Sequence, residues 1–144
     1  MPRSNFKLTP PEPLERDIHE ACANALDALL LPPAMWFTYP AGAAELSPQQ
    51  MARYSRVGLK RGLPDIWLLY RRVYCVELKR RGGNLSKTYI GRTRRGSPRV
   101  YVGQEETFPQ LIATGAVEAI AVCTSVNEML AQCCRWKIPL RGTE

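Results

Sequence analysis

Gly62-Leu63-Pro64-Asp65-Ile66-Trp67-Leu68-Leu69-Tyr70-Arg71-Arg72-Val73-Tyr74-Cys75-Val76-Glu77-Leu78-Lys79 holds two short apolar runs, Ile66 to Tyr70 and Val73 to Leu78, split by Arg71-Arg72. Runs of this length and composition predict two buried strands joined as a hairpin, although Arg-Arg is not the favoured Asn-Gly type of connection. With those two residues as the turn, facing positions have numbers that sum to about 143, so Asp65 stands opposite Leu78 and beside Glu77. Side chains alternate along a strand, so Glu77 and Lys79 share a face and the ammonium lies next to the two acids.

Paired carboxylates with a neighbouring lysine suit phosphodiester hydrolysis. The acids hold a hard cation such as Mg²⁺ through oxygen, the cation polarises the phosphate and lowers the pKa of bound water, and Lys79 stabilises developing charge or positions the attacking water. A Glu-x-Lys on a strand can also be an ordinary solvated face. Against that, Asp65 and Glu77 interrupt apolar runs, where an uncompensated charge is expensive.

Upstream, Ile18, Cys22, Leu26 and Leu29 recur at three- and four-residue steps and predict a helix from Leu14 to Leu31, ending before Pro32-Pro33. At about 100° per residue Glu15 falls in the same stripe, which makes it the candidate third acid, whereas Glu20 groups with Asn24 and Asp27 on the solvated side. His19, one turn after Glu15, reads as a structural residue and is given no catalytic role. Met35 to Tyr39 predicts a strand followed by a small-residue loop at Pro40 to Ala44. Ser47-Pro48-Gln49-Gln50 carries the signals of a capping box and predicts a short basic helix from Pro48 to about Val57.

Downstream, residues Arg80 to Gly103 contain seven basic residues and no acid, and predict an exposed cationic loop. Its arginines would contact phosphates, and Tyr89 or Tyr101 could stack on bases; a merely solvated loop is the alternative. Gln104 to Thr114 has helical spacing, with Pro109 implying a kink or a late start. Gln104 shares a face with Phe108 and Leu111 and points toward the sheet, either into the site or as a buried, hydrogen-bonded amide. Val117 to Cys123 reads as a buried strand, and Ser125-Val126-Asn127-Glu128 as a second capping box opening a helix to about Trp136. Helices interleaved with strands predict an α/β chain with a central mixed sheet flanked by helices, in a single domain over residues 1–144 with a basic insertion at about 80–103.

Composition narrows the chemistry. A formal charge of +7 favours a polyanionic partner. One histidine rules out a His-rich metal cage, and five cysteines without a CxxC pair indicate neither a disulfide framework nor a zinc site. No apolar run nears the roughly 18 residues of a membrane helix, and Met1-Pro2-Arg3-Ser4 opens no signal peptide, so a cytoplasmic protein without a membrane partner is expected.

Gly62-Leu63-Pro64-Asp65 followed by Glu77-Leu78-Lys79 resembles the PD-(D/E)XK nuclease signature, and more closely the stand-alone VRR-NUC nucleases of bacteria and phages. Tyr39-Pro40-Ala41-Gly42, Gly58-Leu59-Lys60-Arg61-Gly62, Gly83-Asn84-Leu85-Ser86 and Gln104 extend the likeness across most of the chain. The resemblance implies a restriction-endonuclease-like core. It implies Mg²⁺ or Mn²⁺ held by Asp65, Glu77 and the Leu78 carbonyl, with Glu15 acting through metal-bound water and Lys79 and Gln104 completing the site. It further implies a homodimer that cleaves branched, Holliday-junction-like DNA. The family's Gln follows the Leu-Ser pair closely, whereas here Lys87 to Gly103 intervene, an insertion expected to grip DNA at the mouth of the site.

The reading is thus a metal-dependent DNA endonuclease whose nucleic-acid contacts come from Lys60, Arg61, Arg80, Arg81, Lys87, Arg92, Arg94, Arg95 and Arg99. The main rival is a non-catalytic nucleic-acid-binding module with a nuclease fold, and a metal-independent RNA-binding or assembly protein stands behind it.

Overall fold

A computed structural model describes residues 11–39 and 46–143. The loop expected at Pro40 to Ala44, most of the Tyr39-Pro40-Ala41-Gly42 motif and the opening Met1-Pro2-Arg3-Ser4 lie outside these residues. In chain order the elements are α1 (Glu15–Leu29), β1 (Met35–Thr38), α2 (Pro48–Arg56), β2 (Ile66–Tyr70), β3 (Arg72–Leu78), β4 (Tyr89–Arg92), β5 (Pro98–Tyr101), α3 (Gln104–Ala113), β6 (Val117–Cys123) and α4 (Val126–Arg135). The class is mixed α/β. Four strands form one sheet in the order β1-β2-β3-β6, antiparallel except for the parallel β3–β6 pair, and helices flank it. A parallel neighbour cannot be reached by a hairpin, so the chain must cross over between β3 and β6. That crossover contains β4, β5 and α3.

One sheet face carries the main core. Ile66 and Leu68 of β2 and Val76 and Leu78 of β3 pack with Ile18, Cys22 and Leu26 of α1 and Met129 and Cys133 of α4. Each fully buried aliphatic side chain here contributes about 1.5–3 kcal/mol relative to exposure. The helical stripe predicted for α1 is the one that packs. On the other face Cys75 is buried, and α3, with Phe108 buried, lies along β6. The five cysteines are free thiols; burial pushes Cys22, Cys75 and Cys133 up to about 12, which leaves these three thiols protonated and inert.

The hairpin register differs from the expected one by a residue. Tyr70 pairs with Arg72 and Ile66 with Val76, leaving Arg71 alone at the apex in the left-handed region at φ 59°. A one-residue slip turns a strand over. The observed register is the one that puts Ile66, Leu68, Val76 and Leu78 together on the face covered by α1 and α4, so core burial overrides the two-residue turn. Continued one step further, it sets Asp65 opposite Glu77 and not opposite Leu78, and the two acids share a face.

Residues 80–103 are not simply a loop. Tyr89–Arg92 and Pro98–Tyr101 pair antiparallel as a two-stranded ribbon separate from the main sheet. Alternation in a four-residue strand broken by Gly91 is too short to read, and the ribbon is fixed instead by contacts at its base. The Ser47 capping box forms as expected. At α4 the Ser125 hydroxyl accepts the Glu128 N–H, but the Glu128 carboxylate accepts from Thr124, one residue earlier than the box requires. α3 begins at Gln104 with Pro109 inside it, so the helix does not start late. No helix among the described residues is long and apolar enough to cross a membrane.

Candidate active site

Asp65 sits just before β2, behind the buried Pro64. Its carbonyl accepts the Tyr39 N–H at 3.0 Å and the Thr38 hydroxyl at 2.9 Å, which fixes the backbone. Its Oδ2 accepts the Leu78 N–H at 2.9 Å. The carboxylate is therefore tied to the end of β3. In extended chain a residue's N–H and C=O point to the same side, so the Leu78 carbonyl is turned toward Asp65 as well.

Glu77 lies one residue before the end of β3 and is 2% exposed. Its Oε1 accepts the Gln104 amide at 2.5 Å and pairs with the Lys79 ammonium at 3.0 Å. Its Oε2 has no hydrogen-bond partner among the described residues. Burial and, after it, the charge of Asp65 push the Glu77 carboxyl up to about 7, against the lowering effect of Lys79 and Gln104. Glu15 completes the group: one carboxylate oxygen from each of Glu15, Asp65 and Glu77 lies within 4.8 Å of the others.

Glu15 is exposed, contrary to its placement in the buried stripe. It is the first residue of α1, and burial begins one turn later at Ile18. Glu15 precedes the first buried residue of the stripe, and its carboxylate joins the other two acids from an exposed position. His19 lies next to Thr38, whose hydroxyl bonds the Asp65 backbone. Thr38 gives its one hydroxyl proton to the Asp65 carbonyl, so the 2.9 Å contact with His19 Nε2 must be donated by the histidine.

Gln104 opens α3 and is held from two sides. Its Oε1 accepts the Ser86 N–H at 3.1 Å, its own N–H goes to the Ser86 hydroxyl at 3.0 Å, and the Glu105 N–H bonds the Ser86 carbonyl at 3.1 Å. Thr88 adds to this clamp, accepting the Gly103 N–H and donating to Glu106 at 2.6 Å. Gly103 is packed between the two chains, since a Cβ there would lie 2.5 Å from the Ser86 carbonyl oxygen and against the Lys87 carbonyl carbon. Gln104 thus meets the Leu85-Ser86 pair in space, and the seventeen intervening residues, Lys87 to Gly103, loop out from one point. Sequence reading gave Gln104 a role in the site, noted Ser86 only as part of a motif and missed Thr88, because the partners of both are far along the chain.

The acids open into a cleft of about 260 Å³ that Lys79, Gln104, Arg61, Lys87, Tyr89 and Tyr101 also line. Lys60, Arg61 and Arg99 border a neighbouring groove. The other predicted contacts are more scattered. Arg81 lines a separate hollow with Glu12 and Glu128, Arg80 is exposed beyond β3, and Arg92, Arg94 and Arg95 are at the far end of the ribbon, where Arg92 bonds the Gly96 carbonyl. A larger hollow of about 570 Å³ around Arg71 and Arg72, at the opposite end of the hairpin, has no carboxylate in its lining.

Three carboxylates that can each offer one oxygen, with Glu77 keeping a buried oxygen that has no partner, fit a hard divalent cation such as Mg²⁺ or Mn²⁺. A buried carboxylate oxygen without a partner is costly, and a cation held between the three acids would relieve it. Comparison of the chain with protein-family models, with curated proteins and with solved structures finds no match.

Proposed function

We propose that the protein is a divalent-cation-dependent DNA endonuclease with a restriction-endonuclease-like core, similar to the stand-alone VRR-NUC nucleases. The observation that carries this is the unpartnered Glu77 Oε2, buried next to Asp65 and Glu15 with the Lys79 ammonium on the other oxygen. Asp65, Glu77, the Leu78 carbonyl and, from the open side, Glu15 would hold Mg²⁺ or Mn²⁺. The cation supplies Lewis-acid polarisation of the phosphate and acidifies bound water. Lys79, 3.0 Å from Glu77, places positive charge where charge develops on the phosphate. Gln104 keeps Glu77 turned toward the acids, and the Thr38–His19 pair keeps the Asp65 backbone in place.

A net charge of +7 with Arg61 and Lys87 lining the cleft supports a nucleic-acid substrate. Five cysteines present as free thiols suit a reducing, cytoplasmic setting. The resemblance adds a homodimer and branched DNA, which sedimentation and substrate ranking would test. The decisive assay incubates the protein with labelled four-way junction, flap, single-stranded and duplex DNA in Mg²⁺ or Mn²⁺, beside an Asp65→Ala variant of verified fold. Cleavage lost in EDTA and in the variant is expected. Binding without cleavage of any substrate in either metal would leave a non-catalytic module in its place.

A further inference from the structure

Tyr89 and Tyr101 face each other across the ribbon, with ring centroids 5.0 Å apart and planes 14° from parallel. Gly91 makes this possible, because a Cβ there would stand 2.6 Å from Tyr101 Cε2 and 3.3 Å from Tyr89 Cε2. The guanidinium groups of Arg61 and Arg99 lie 5.3 and 5.4 Å from the Tyr101 ring centre. Neither arginine makes an ion pair among the described residues. Tyr101 is therefore occupied, while Tyr89 remains 58% exposed beside the three acids. A cross-strand pair that served only to hold the ribbon together would have no need to line the acidic cleft with unpaired arginines around it.

We propose that Tyr89 is a stacking platform for an unpaired DNA base next to the scissile phosphate, with Arg61 and Arg99 holding the adjoining backbone. This deepens the nuclease reading and rests on it. An aromatic ring stacks on any base that offers a free π-face, and a paired base inside a duplex has both faces covered by its neighbours. The cleft, at about 260 Å³, is on the scale of one small ligand and not of a double helix. The substrate class is DNA with a single-stranded nucleotide at the cleavage point: a flap, a frayed end or a single strand.

The test is a titration of the full-length protein, in EDTA so that no turnover is needed, against oligonucleotides carrying 2-aminopurine either in a single strand or within a fully paired duplex. Quenching is expected for the single strand and not for the duplex. Tyr89→Ala should abolish the quenching and weaken single-strand binding roughly ten-fold, with less than two-fold change for the duplex. Tyr89→Phe, which keeps the ring and loses only the hydroxyl, should behave as the parent protein, and circular dichroism reports whether each variant folds. Absence of quenching by the intact protein, or equal weakening of both DNAs by Tyr89→Ala, overturns the proposal. Failure of this titration leaves the nuclease reading to the cleavage assay, and failure of the cleavage assay leaves a quenching result standing.

Discussion

Glu77 holds its proton more tightly in the folded chain than an unfolded glutamate does, about 7 against 4.5. An acid whose folded pKa is raised gives its full share of stability below the unfolded value, and loses it as pH climbs through the folded one. Cation-free protein should therefore become less stable between about pH 4.5 and 7, by an amount on the order of 3 kcal/mol for this group. Thermal melts in EDTA are expected to show a falling Tm across that window, Glu77→Gln should flatten the slope, and Mg²⁺ should raise Tm more at pH 8 than at pH 5. A Tm that rises from pH 5 to 8 in EDTA, with the same slope in Glu77→Gln, would contradict this account. Gln104 touches Glu77 without being a ligand, and removing such a supporting group typically costs 10–100-fold in activity or metal affinity. Gln104→Ala should show that loss mainly in kcat with the melting temperature nearly kept; a fall in Tm with kcat intact would make the amide merely structural.

At the scale of elements, the two acids were legible because charged residues inside apolar runs break the pattern a buried strand must obey. Their register was not, because a turn with Arg71 in the left-handed region follows no favoured turn sequence, and the core burial of Leu68 and Val76 decides it from outside. The ribbon was invisible for a similar reason: Tyr89–Arg92 and Pro98–Tyr101 owe their order to each other and to the Ser86, Thr88 and Gly103 contacts at their base. Since those contacts tie Ser86 directly to Gln104 and Thr88 to Gly103, replacing residues 89–102 with two glycines should leave the fold standing and weaken DNA binding ten-fold or more. Unchanged affinity in a gel-shift titration would remove the ribbon from the binding surface. Gly103→Ala should do the opposite, disturbing the clamp itself. The expected result is a loss of activity at least as large as that of Gln104→Ala, read by the same kinetics.

For the molecule as a whole, charge and shape make separate demands. Of the nine basic residues read from sequence, Lys60, Arg61, Lys87 and Arg99 border the cleft or the groove beside it, and the rest lie elsewhere. If those four carry the phosphate contacts, log K for duplex DNA should fall with log salt at a slope of about −4, and for a single strand at about −3. Replacing Arg92, Arg94 and Arg95 together with alanine should leave the slope unchanged, and a slope near −8 in the parent protein would bring the ribbon's far end into the interface. The sheet, its acids and the helix that steadies them form a unit that closes on itself at Ser86 and Gln104. Everything between those two residues leaves and returns at one point, so a change in its length need not move the three acids. The ribbon can thus be exchanged while the acids stay where they are, and the same junction offers an engineer a socket for swapping one outer surface for another.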